Sequence, residues 1–297
     1  MNPAAGRGIG KKFIALLHKY LQGRGIAYEI VPTLGPGDAT EIARLSPNSN
    51  VVAVGGDGTI NEVANGLVGT GKTLGIIPAG SGNDFSKSMQ IPTKLATSIE
   101  KLLEGKTRTI DVGTVVCSST MNGEPEAGNS SPRYFVNGVG IGFDAAVAER
   151  TARIKHFSGT ALYILAVLQT LGKYTSPNFH LSVDTVSLSS KRLLIAVGNG
   201  RCVGGGFYLT PEARVDDGLL DVCTIDEMPL IRILGIMPRV MKGNHQGISG
   251  VSFFRGRKIT VTGDSGYYVH ADGEIVGRET RRVNIGLLEK ALTVIGG

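Results

Sequence analysis

The sequence predicts a chain of two parts: an α/β part at the N-terminus and an all-β part that follows it. Strands and amphipathic helices alternate up to about residue 111, which is typical of a mostly parallel sheet covered by helices. Beyond that residue, short strands follow one another with glycines between them, which favours an antiparallel sandwich or barrel over residues 112–279. The chain is 297 residues long, which is enough for about two domains of ordinary size.

In the first part, apolar spacing and turn residues place each element. Phe13, Leu17 and Leu21 recur every three or four residues, which predicts a helix over residues 10–21. Pro36 begins a second helix over residues 36–45, because proline fits the first turn of a helix. The other predicted elements are strands at residues 27–31, 50–54 and 74–77 and helices at residues 59–67 and 95–103.

The second part is predicted from apolar runs that end at glycines. One long apolar helix, residues 158–173, interrupts the strands. Glycine, proline, asparagine and serine concentrate in residues 121–132, which predicts an exposed loop. The predicted strands cover residues 112–116, 133–138, 179–188, 193–198, 219–225 and 258–262.

Composition excludes some classes of function. Lysine and arginine outnumber aspartate and glutamate by 31 to 25, which favours anionic partners. The basic residues are spread along the chain and tryptophan is absent, so no nucleic-acid-binding surface is predicted. Cys117, Cys202 and Cys223 are far apart and odd in number, which favours a cytoplasmic location and free thiols over a disulfide or zinc site. No apolar run reaches the roughly 18 residues that a membrane-spanning helix needs.

A glycine-rich turn follows the predicted strand at residues 50–54, and it consists of Gly55, Gly56, Asp57, Gly58 and Thr59. Exposed backbone N–H groups at the N-terminus of the next helix suit a phosphate, so the turn indicates a nucleotide-using enzyme. Asp57 can hold water or Mg²⁺ beside the phosphate, and Thr59 can donate a hydrogen bond. An ordinary strand–turn–helix corner is the alternative. The spacing fits neither a Walker A loop nor a G-x-G-x-x-G fingerprint.

The glycine turn resembles a signature that diacylglycerol-type lipid kinases share with NAD kinases, with a related form in phosphofructokinases. The neighbouring motifs distinguish these families. Residues 78–85, PAGSGNDF, resemble the P-x-G-[TS]-x-N-D-F element of lipid kinases, and the N-x-G-x-L-G stretch expected of an NAD kinase is absent. Residues 137–144 and several glycine-rich segments between residues 199 and 221 continue the likeness. The sequence as a whole is most similar to the bacterial diacylglycerol kinase family.

This resemblance implies a fold and a set of ligand-binding residues. The C-terminal part is expected to be a β-sandwich, and residues 280–297 are expected to return to the first domain. A structural Mg²⁺ is expected on the Asp217 side chain and the carbonyl groups of Arg214 and Leu219, whereas the residue types alone also fit a tight turn. The residues implied to bind ATP are Asn2, Thr33, Gly55, Gly56, Asp57, Gly58, Thr59, Ile60, Asn61, Glu62, Ser81 and Asp84.

Two carboxylates near the C-terminus are the candidate catalytic residues. In the segment His270–Glu274, the glycine allows Asp272 and Glu274 to lie at a loop tip. By the resemblance, Glu274 accepts the proton of a lipid hydroxyl, and Asp272 orients Glu274 or a Mg²⁺. A hairpin turn with a solvated glutamate is the alternative, and His270 is interpreted as structural.

The predicted helix at residues 158–173 is the candidate lipid-facing element. Its leucines, including Leu165 and Leu168, exceed one narrow apolar stripe, and Arg150, Arg153 and Lys155 flank it. Packing against the sandwich is the alternative. The first residues read as a loop that should follow a strand, and the sequence leaves open whether Met1 is the native start. A homodimer is left open.

The sequence therefore predicts a two-domain lipid kinase that uses ATP and Mg²⁺. Its expected reaction is the phosphorylation of a lipid hydroxyl, with diacylglycerol as substrate and phosphatidic acid as product. The expected location is the cytoplasm, with peripheral contact at the inner membrane face. Two alternatives stay open: an NAD kinase-like enzyme with a soluble acceptor, and a nucleotide-sensing protein that keeps the fold without turnover.

Overall fold

A computed structural model describes residues 1–3, 10–121, 132–153, 159–172 and 174–296. The chain divides into two compact units: Met1–Thr109 with Leu292–Gly297, and Ile110–Ala291. The sequence predicted domain boundaries at residues 1–111 with 280–297 and at residues 112–279. These boundaries stay a prediction, because they concern which segments fold independently. Most of the predicted loop at residues 121–132 lies outside the described residues.

The first unit contains a parallel sheet with helices packed against it. Strands β1 and β2 pair in parallel from Asn50 opposite Thr73 to Gly55 opposite Pro78. The end of β11 adds a further parallel strand, with Thr293 opposite Thr73. The elements of this unit are α1 (Gly10–Gln22), α2 (Asp38–Leu45), β1 (Asn50–Gly55), α3 (Asp57–Leu67), β2 (Thr73–Pro78), α4 (Asp84–Ser88), α5 (Leu95–Leu103) and the last residues of β11 (Glu274–Ile295).

A small apolar core joins these elements. Leu17 and Leu21 lie four residues apart on one face of α1, so both reach the cluster that includes Val54 of β1 and Ile77 of β2. Ile99 of α5 completes it. Helix α3 packs against β1, β2 and α2. The predicted helices and the parallel strands β1 and β2 therefore exist, and α2 and α3 differ from the prediction by two residues at their first turn.

The strand predicted at residues 27–31 is wrong. The segment forms no strand pairing with any part of the chain that the structure describes. Tyr28 and Ile30 pack partly against the core cluster, which explains the alternating pattern in the sequence. The Met1 amino group donates to the Val31 carbonyl at 2.9 Å, and the Thr33 N–H donates to the Met1 carbonyl at 2.9 Å. The Tyr28 hydroxyl lies 2.6 Å from Nδ1 of His18. Alternation thus identified a face that packs inward, which by itself does not make a strand.

The second unit is an antiparallel sheet system with helices on one side. Strand β7 pairs with β5, β6 and β8, while β10 pairs with β5, β6 and β11. The elements are β3 (Thr107–Ser118), β4 (Arg133–Phe135), β5 (Gly138–Gly142), α6 (Phe143–Arg153), α7 (Gly159–Leu171), β6 (Asn178–Val183), β7 (Val186–Gly198), β8 (Leu220–Asp226), α8 (Leu230–Met241), β9 (Val251–Gly256), β10 (Ile259–Ala271) and most of β11.

Strand β7 is buried on both faces. Ile195 and Val197 point into a core that includes Val222 of β8. Leu194 and Ala196 point into a second core, which α6, α7 and α8 cover. A strand buried on both faces has a continuous apolar sequence, and residues 193–197, LLIAV, fit that pattern. The helices on this face correct the expectation of a single helix in the second part.

Several elements of this unit depart from the prediction. Residues 179–188 form a hairpin, because Asp184 takes a left-handed conformation (φ 48°) and accepts the backbone N–H of Lys258 at 2.9 Å. Helices α6 and α8 were not predicted; Pro238 within α8 argued against a helix. Strand β10 extends to Ala271 and is longer than the predicted strand at residues 258–262.

Candidate active site

Two glycine turns meet in the first unit. One follows β1 and the other follows β2, and parallel pairing brings both to the same edge of the sheet. A Cβ on Gly80 would lie 2.5 Å from the Cα of Gly56, and a Cβ on Gly55 would lie 2.4 Å from the Thr59 Oγ1. Side chains at these positions are excluded by backbone and by Thr59. The glycines are therefore required by close packing of the two turns.

Helix α3 begins at Asp57, directly after Gly56. The residue before the helix, Gly56, has no side chain that could cap the first N–H groups. The N-terminus of α3 thus offers backbone donors and the positive end of the helix dipole. These are the properties that the sequence predicted for a phosphate-binding turn.

Asp57 connects the two turns. Its Oδ1 accepts the backbone N–H of Phe85 at 3.1 Å, at the start of α4. Its Oδ2 lies 2.9 Å from the position of a Cβ on Gly82, and Oδ2 of Asp84 lies 3.7 Å from the same position. Two carboxylates therefore flank Gly82. This is an arrangement of oxygen donors that suits Mg²⁺ and its bound phosphate oxygens.

Asp84 is buried and forms an ion pair with Lys87 at 3.1 Å. The turn before it is fixed by Asn83, which has a left-handed backbone (φ 51°). Asn83 accepts the Gly80 N–H at 3.0 Å and donates to the Gly80 carbonyl at 2.8 Å. Ser81, the predicted ATP contact, is exposed at the tip of this turn.

Of the other predicted ATP-binding residues, Asn2 lies beside the turn. Its side-chain amide donates to Thr59 Oγ1 at 3.3 Å, and its backbone N–H donates to the Val54 carbonyl at 3.0 Å. Thr33 is half-buried and donates its backbone N–H to Met1. Gly58 lies in the first turn of α3.

Three further predicted ATP-binding residues lie in the first half of α3. Ile60 and Asn61 are almost completely buried, at 0% and 1% exposure. The carboxylate of Glu62 accepts the N–H groups of Gly37 at 3.0 Å and Ala39 at 3.1 Å. Glu62 thereby holds the first turn of α2, whose N-terminus has no side-chain cap of its own. The ATP-binding role of Ile60, Asn61 and Glu62 stays a prediction.

In the second unit, Asp272 is held by backbone donors. Its carboxylate accepts N–H groups from Val136 at 2.9 Å, Asn137 at 2.9 Å and Gly138 at 2.8 Å. Asp272 itself has a left-handed backbone (φ 49°) and is buried. An ionised carboxylate only accepts hydrogen bonds, so three donors match it well. Asp272 therefore fixes the turn between β10 and β11 to the segment that precedes β5.

Glu274 begins β11 and is more accessible than Asp272. Its Oε2 lies 2.7 Å from Nη2 of Arg133 in β4, and both side chains are about two-fifths exposed. A guanidinium at this distance favours the ionised form of the carboxylate. An ionised carboxylate that reaches solvent can accept a proton from a bound alcohol.

The turn has a buried support that sequence reasoning missed. His270 Nε2 lies 2.9 Å from Asp144 Oδ2, and Nδ1 accepts the Gly273 N–H at 3.3 Å. These contacts assign the proton to Nε2. A Cβ on Gly140 would lie 2.2 Å from His270 Nε2, so only glycine fits there. These contacts support the interpretation of His270 as structural. Asp144 ends the 137–144 segment, but its pairing with His270 had no local signal because 126 residues separate the two.

The predicted magnesium site at Asp217 lies in the segment before β8. Arg255 of β9 contacts Oδ2 of Asp217 and places its Nε 3.3 Å from Oδ2 of Asp221. Burial raises the pKa of Asp221, and the charge of Arg255 opposes that shift. Leu219 donates its N–H to Asp217 Oδ1 at 3.2 Å. The carboxylate that would hold the cation is therefore already paired.

The donor types at this position still suit a hard cation, which prefers carboxylate and carbonyl oxygens. The Arg214 side chain is exposed and lies 3.7 Å from Asp216. Within the described ranges, no cluster of three or more histidine, cysteine, aspartate or glutamate side chains forms a metal centre. A cation at Asp217 would depend on backbone carbonyls and would have to displace Arg255 from Asp217.

An apolar cavity of about 50 Å³ also lies in the second unit. Asp144 contributes to its wall, next to side chains from the strands and from α8. By this measure one water molecule needs roughly 10–15 Å³, so the cavity has room for only a few water-sized groups. A long acyl chain would enter only if side chains or α8 moved. The cavity is lined by Phe143, Asp144, Val167, Leu193, Leu194, Phe207, Leu209, Ile225, Ile233, Ile236, Met237 and Val240.

Comparison with known proteins identifies both parts of the chain. Residues 1–115 match the diacylglycerol kinase catalytic domain, and residues 137–296 match the YegS C-terminal NAD kinase beta sandwich-like domain. A diacylglycerol kinase of Mycobacterium tuberculosis is 31% identical over 281 residues, covering 92% of this chain and 86% of that protein. A diacylglycerol kinase of Bacillus subtilis is 27% identical over 283 residues, covering 93% and 88%.

Solved structures show the same fold. A diacylglycerol kinase from Bacillus anthracis has a TM-score of 0.70 at 22% identity, covering 95% of this chain and 92% of that chain. An NAD kinase from Archaeoglobus fulgidus in complex with ATP has a TM-score of 0.52 at 15% identity, covering 95% and 88%. Both consist of an N-terminal domain and a β-rich C-terminal domain. Together with the matches along the sequence, this shows that the chain belongs to the diacylglycerol kinase family of lipid kinases.

Proposed function

We propose that this kinase transfers the γ-phosphate of ATP to the free hydroxyl of diacylglycerol and so produces phosphatidic acid. One observation carries the nucleotide half of the proposal. The turns after β1 and β2 pack so closely that only glycines fit, and the carboxylates of Asp57 and Asp84 flank Gly82 beside them. Backbone donors and paired carboxylates are the groups that a polyphosphate with its metal ion requires.

The triphosphate would bind the N–H groups at the start of α3. Gly55, Gly56 and Gly58 allow its oxygens to approach the backbone, and Thr59 and Ser81 offer hydroxyl groups. Asn2 would orient Thr59 through their hydrogen bond. We assign Ile60, Asn61 and Glu62 to the support of α3 and α2, since their side chains are buried or engaged.

Asp57 and Asp84 would hold Mg²⁺ at the phosphates. When bound, Mg²⁺ neutralises the charge that develops on the transferred group. A second, structural Mg²⁺ at Asp217, with the carbonyl groups of Arg214 and Leu219, remains part of the proposal, in competition with Arg255.

Glu274 would accept the proton of the attacking hydroxyl. Its pairing with Arg133 gives the carboxylate a cationic neighbour and directs Oε2. Asp272 acts through position: its three backbone hydrogen bonds hold the turn that carries Glu274. The matches to diacylglycerol kinases along the sequence favour a lipid acceptor over a soluble dinucleotide.

The test is phosphate transfer from radiolabelled ATP to two acceptors, diacylglycerol in mixed micelles and NAD in solution. We expect label in phosphatidic acid and none in NAD. Label in NAD would contradict the lipid assignment. Nucleotide binding without label in either acceptor would favour a sensing protein. Glu274→Gln serves as the matched control, since it keeps the shape of the side chain and removes the base.

A further inference from the structure

Helix α8 has two apolar faces of different kinds. Its inner face packs into the core through Ile233, Ile236 and Val240. Its first residues, Leu230 and Ile231, are exposed to 51% and 80%. Burying such adjacent large apolar side chains away from water is favourable. The outer surface of α8 therefore has an apolar end with no protein covering it among the described residues.

The exposed face is a continuous stripe. Ile231, Gly235, Pro238 and Lys242 follow one another at spacings of four, three and four residues, which places them on one side of the helix. Gly235 and Pro238 are exposed and add no charge. The stripe therefore begins with Ile231, continues with small or apolar residues and ends in a cation.

The charged residues on α8 itself have one sign, whereas the exposed Glu227 lies three residues before its first residue. Arg239 and Lys242 are exposed at its C-terminal end, and α8 itself contains no aspartate or glutamate. Arg232 lies beside Ile231 and donates to the Ser249 carbonyl at 2.7 Å, so its position is fixed. Apolar residues with flanking cations fit a surface that is apolar beneath a negatively charged layer, which is the interface of an anionic bilayer.

Helix α7, the sequence-based candidate for membrane contact, has fewer exposed apolar and basic side chains among its described residues. Ala166, Val167 and Thr170 are buried, and Leu168 is the exposed leucine of its described side chains. Its last turn has no basic residue, and Arg150 donates to Gln169 at 2.9 Å. Lys155 and Lys173 lie outside the described residues. In neither unit is any described helix long and apolar enough to cross a bilayer.

We propose that α8 is the surface by which this protein docks on an anionic lipid bilayer, with Leu230 and Ile231 inserted and Arg239 and Lys242 at the headgroups. This inference rests on the proposed lipid kinase function, because a lipid kinase must reach a substrate in the membrane. The inner face of α8 forms part of the cavity wall through Ile233, Ile236 and Val240. Docking would therefore place the wall of the apolar cavity directly against the membrane that contains the substrate.

The experiment is co-sedimentation of the full chain with vesicles of phosphatidylcholine, with and without phosphatidylglycerol. We expect binding to the anionic vesicles that weakens with salt. Ile231→Glu should weaken it about tenfold or more, because one large apolar side chain is lost from the interface and a like charge is added. Arg239→Gln with Lys242→Gln should weaken binding to anionic vesicles and leave binding to neutral ones unchanged.

The matched control is Val186→Glu, at an exposed apolar position of β7 in the same unit. It should bind vesicles as the wild type does. The proposal would be overturned if Ile231→Glu bound vesicles as strongly as the wild type. It would also be overturned if Leu168→Glu lost binding while Ile231→Glu kept it. A change in oligomeric state of Ile231→Glu with unchanged vesicle binding would also overturn it, because the face would then contact a second copy. Unchanged thermal unfolding of each variant excludes misfolding as the cause.

A second assay separates this proposal from the proposed function. Phosphorylation of a short-chain diacylglycerol dissolved as monomers requires no membrane, so Ile231→Glu should retain it. If the wild type binds vesicles through α8 but phosphorylates no diacylglycerol, the docking surface stands and the assigned substrate fails.

Discussion

Nη2 of Arg133 lies 2.7 Å from Oε2 of Glu274, although 141 residues separate them in the sequence. The pair joins β4 to the first residue of β11, and β4 begins directly after a stretch that lies outside the described residues. It gives the candidate base a cationic neighbour and a fixed direction. The first prediction concerns this pair.

Glu274→Gln should lower kcat by about 10²–10⁴-fold, the usual contribution of a general base. Arg133→Gln should have a smaller effect, roughly fivefold or less, because a pair this exposed contributes about 0.2–1 kcal/mol. The KM for ATP should change little in both variants. Steady-state kinetics with diacylglycerol micelles measures this, and equal losses in both variants would mean that Arg133 has its own part in the reaction.

Asp272→Asn should destabilise the second unit. The amide nitrogen of asparagine would face one of the three N–H donors that the carboxylate now accepts. Leaving a buried donor unsatisfied costs about 1–3 kcal/mol. Urea unfolding followed by circular dichroism gives the change in the free energy of unfolding. A variant as stable as the wild type would show that Asp272 is not the anchor of this turn.

Gly80→Ala should impair nucleotide binding, because a Cβ there would lie 2.5 Å from the Cα of Gly56. The two turns would have to separate, and the KM for ATP should rise. Gly35→Ala is the matched control in the same unit, since a Cβ at Gly35 has nothing within 4 Å. If both variants bind ATP like the wild type, the turn is not the phosphate site.

His245 should make the second unit sensitive to acid. It is fully buried, and burial lowers its pKa below the ordinary value, although a backbone hydrogen bond to Leu209 opposes the shift. Its Nδ1 has no hydrogen-bond partner among the described residues, so protonation would bury an unsatisfied donor. Because the unfolded chain binds this proton more tightly than the folded one, the free energy of unfolding rises with pH across the interval between the two pKa values.

Stability should therefore fall as pH decreases below the unfolded-state pKa of about 6.5. Urea unfolding as a function of pH measures the slope, and His245→Gln, which keeps a donor for Leu209, should reduce it. An identical slope in this variant would assign the acid sensitivity to other groups.

Arg255→Ala should increase the response of the protein to Mg²⁺. In the wild type Arg255 neutralises Asp217 and contacts Asp221, so added Mg²⁺ should raise Tm only slightly. The variant should be less stable without Mg²⁺ and should recover with it, because a ligand that binds only the folded state stabilises it. A Mg²⁺ response in the variant no larger than in the wild type would contradict the metal site at Asp217.

The sequence alone was sufficient for features that local residues specify. The glycine turn after β1, the following helix and the PAGSGNDF element are short continuous segments, and their conformation depends on glycine geometry and helix initiation close by. The family was recognised from these segments and is confirmed by the comparisons. Strands β1 and β2 were also predicted, because a buried parallel strand is a continuous apolar run.

Only the tertiary structure decided which distant residues meet. Asp144 reaches His270, Arg133 reaches Glu274, and Arg255 reaches Asp217, in each case across neighbouring or packed elements far apart in the chain. The two cores around β7 and the outer face of α8 were likewise not predicted. The spacing of apolar residues does not show which other elements cover them. The sequence thus determined the chemistry that each segment carries. The tertiary structure determined which charged side chains and hydrogen-bond partners each residue contacts. These contacts follow from strand pairing between distant segments, which no local sequence pattern records.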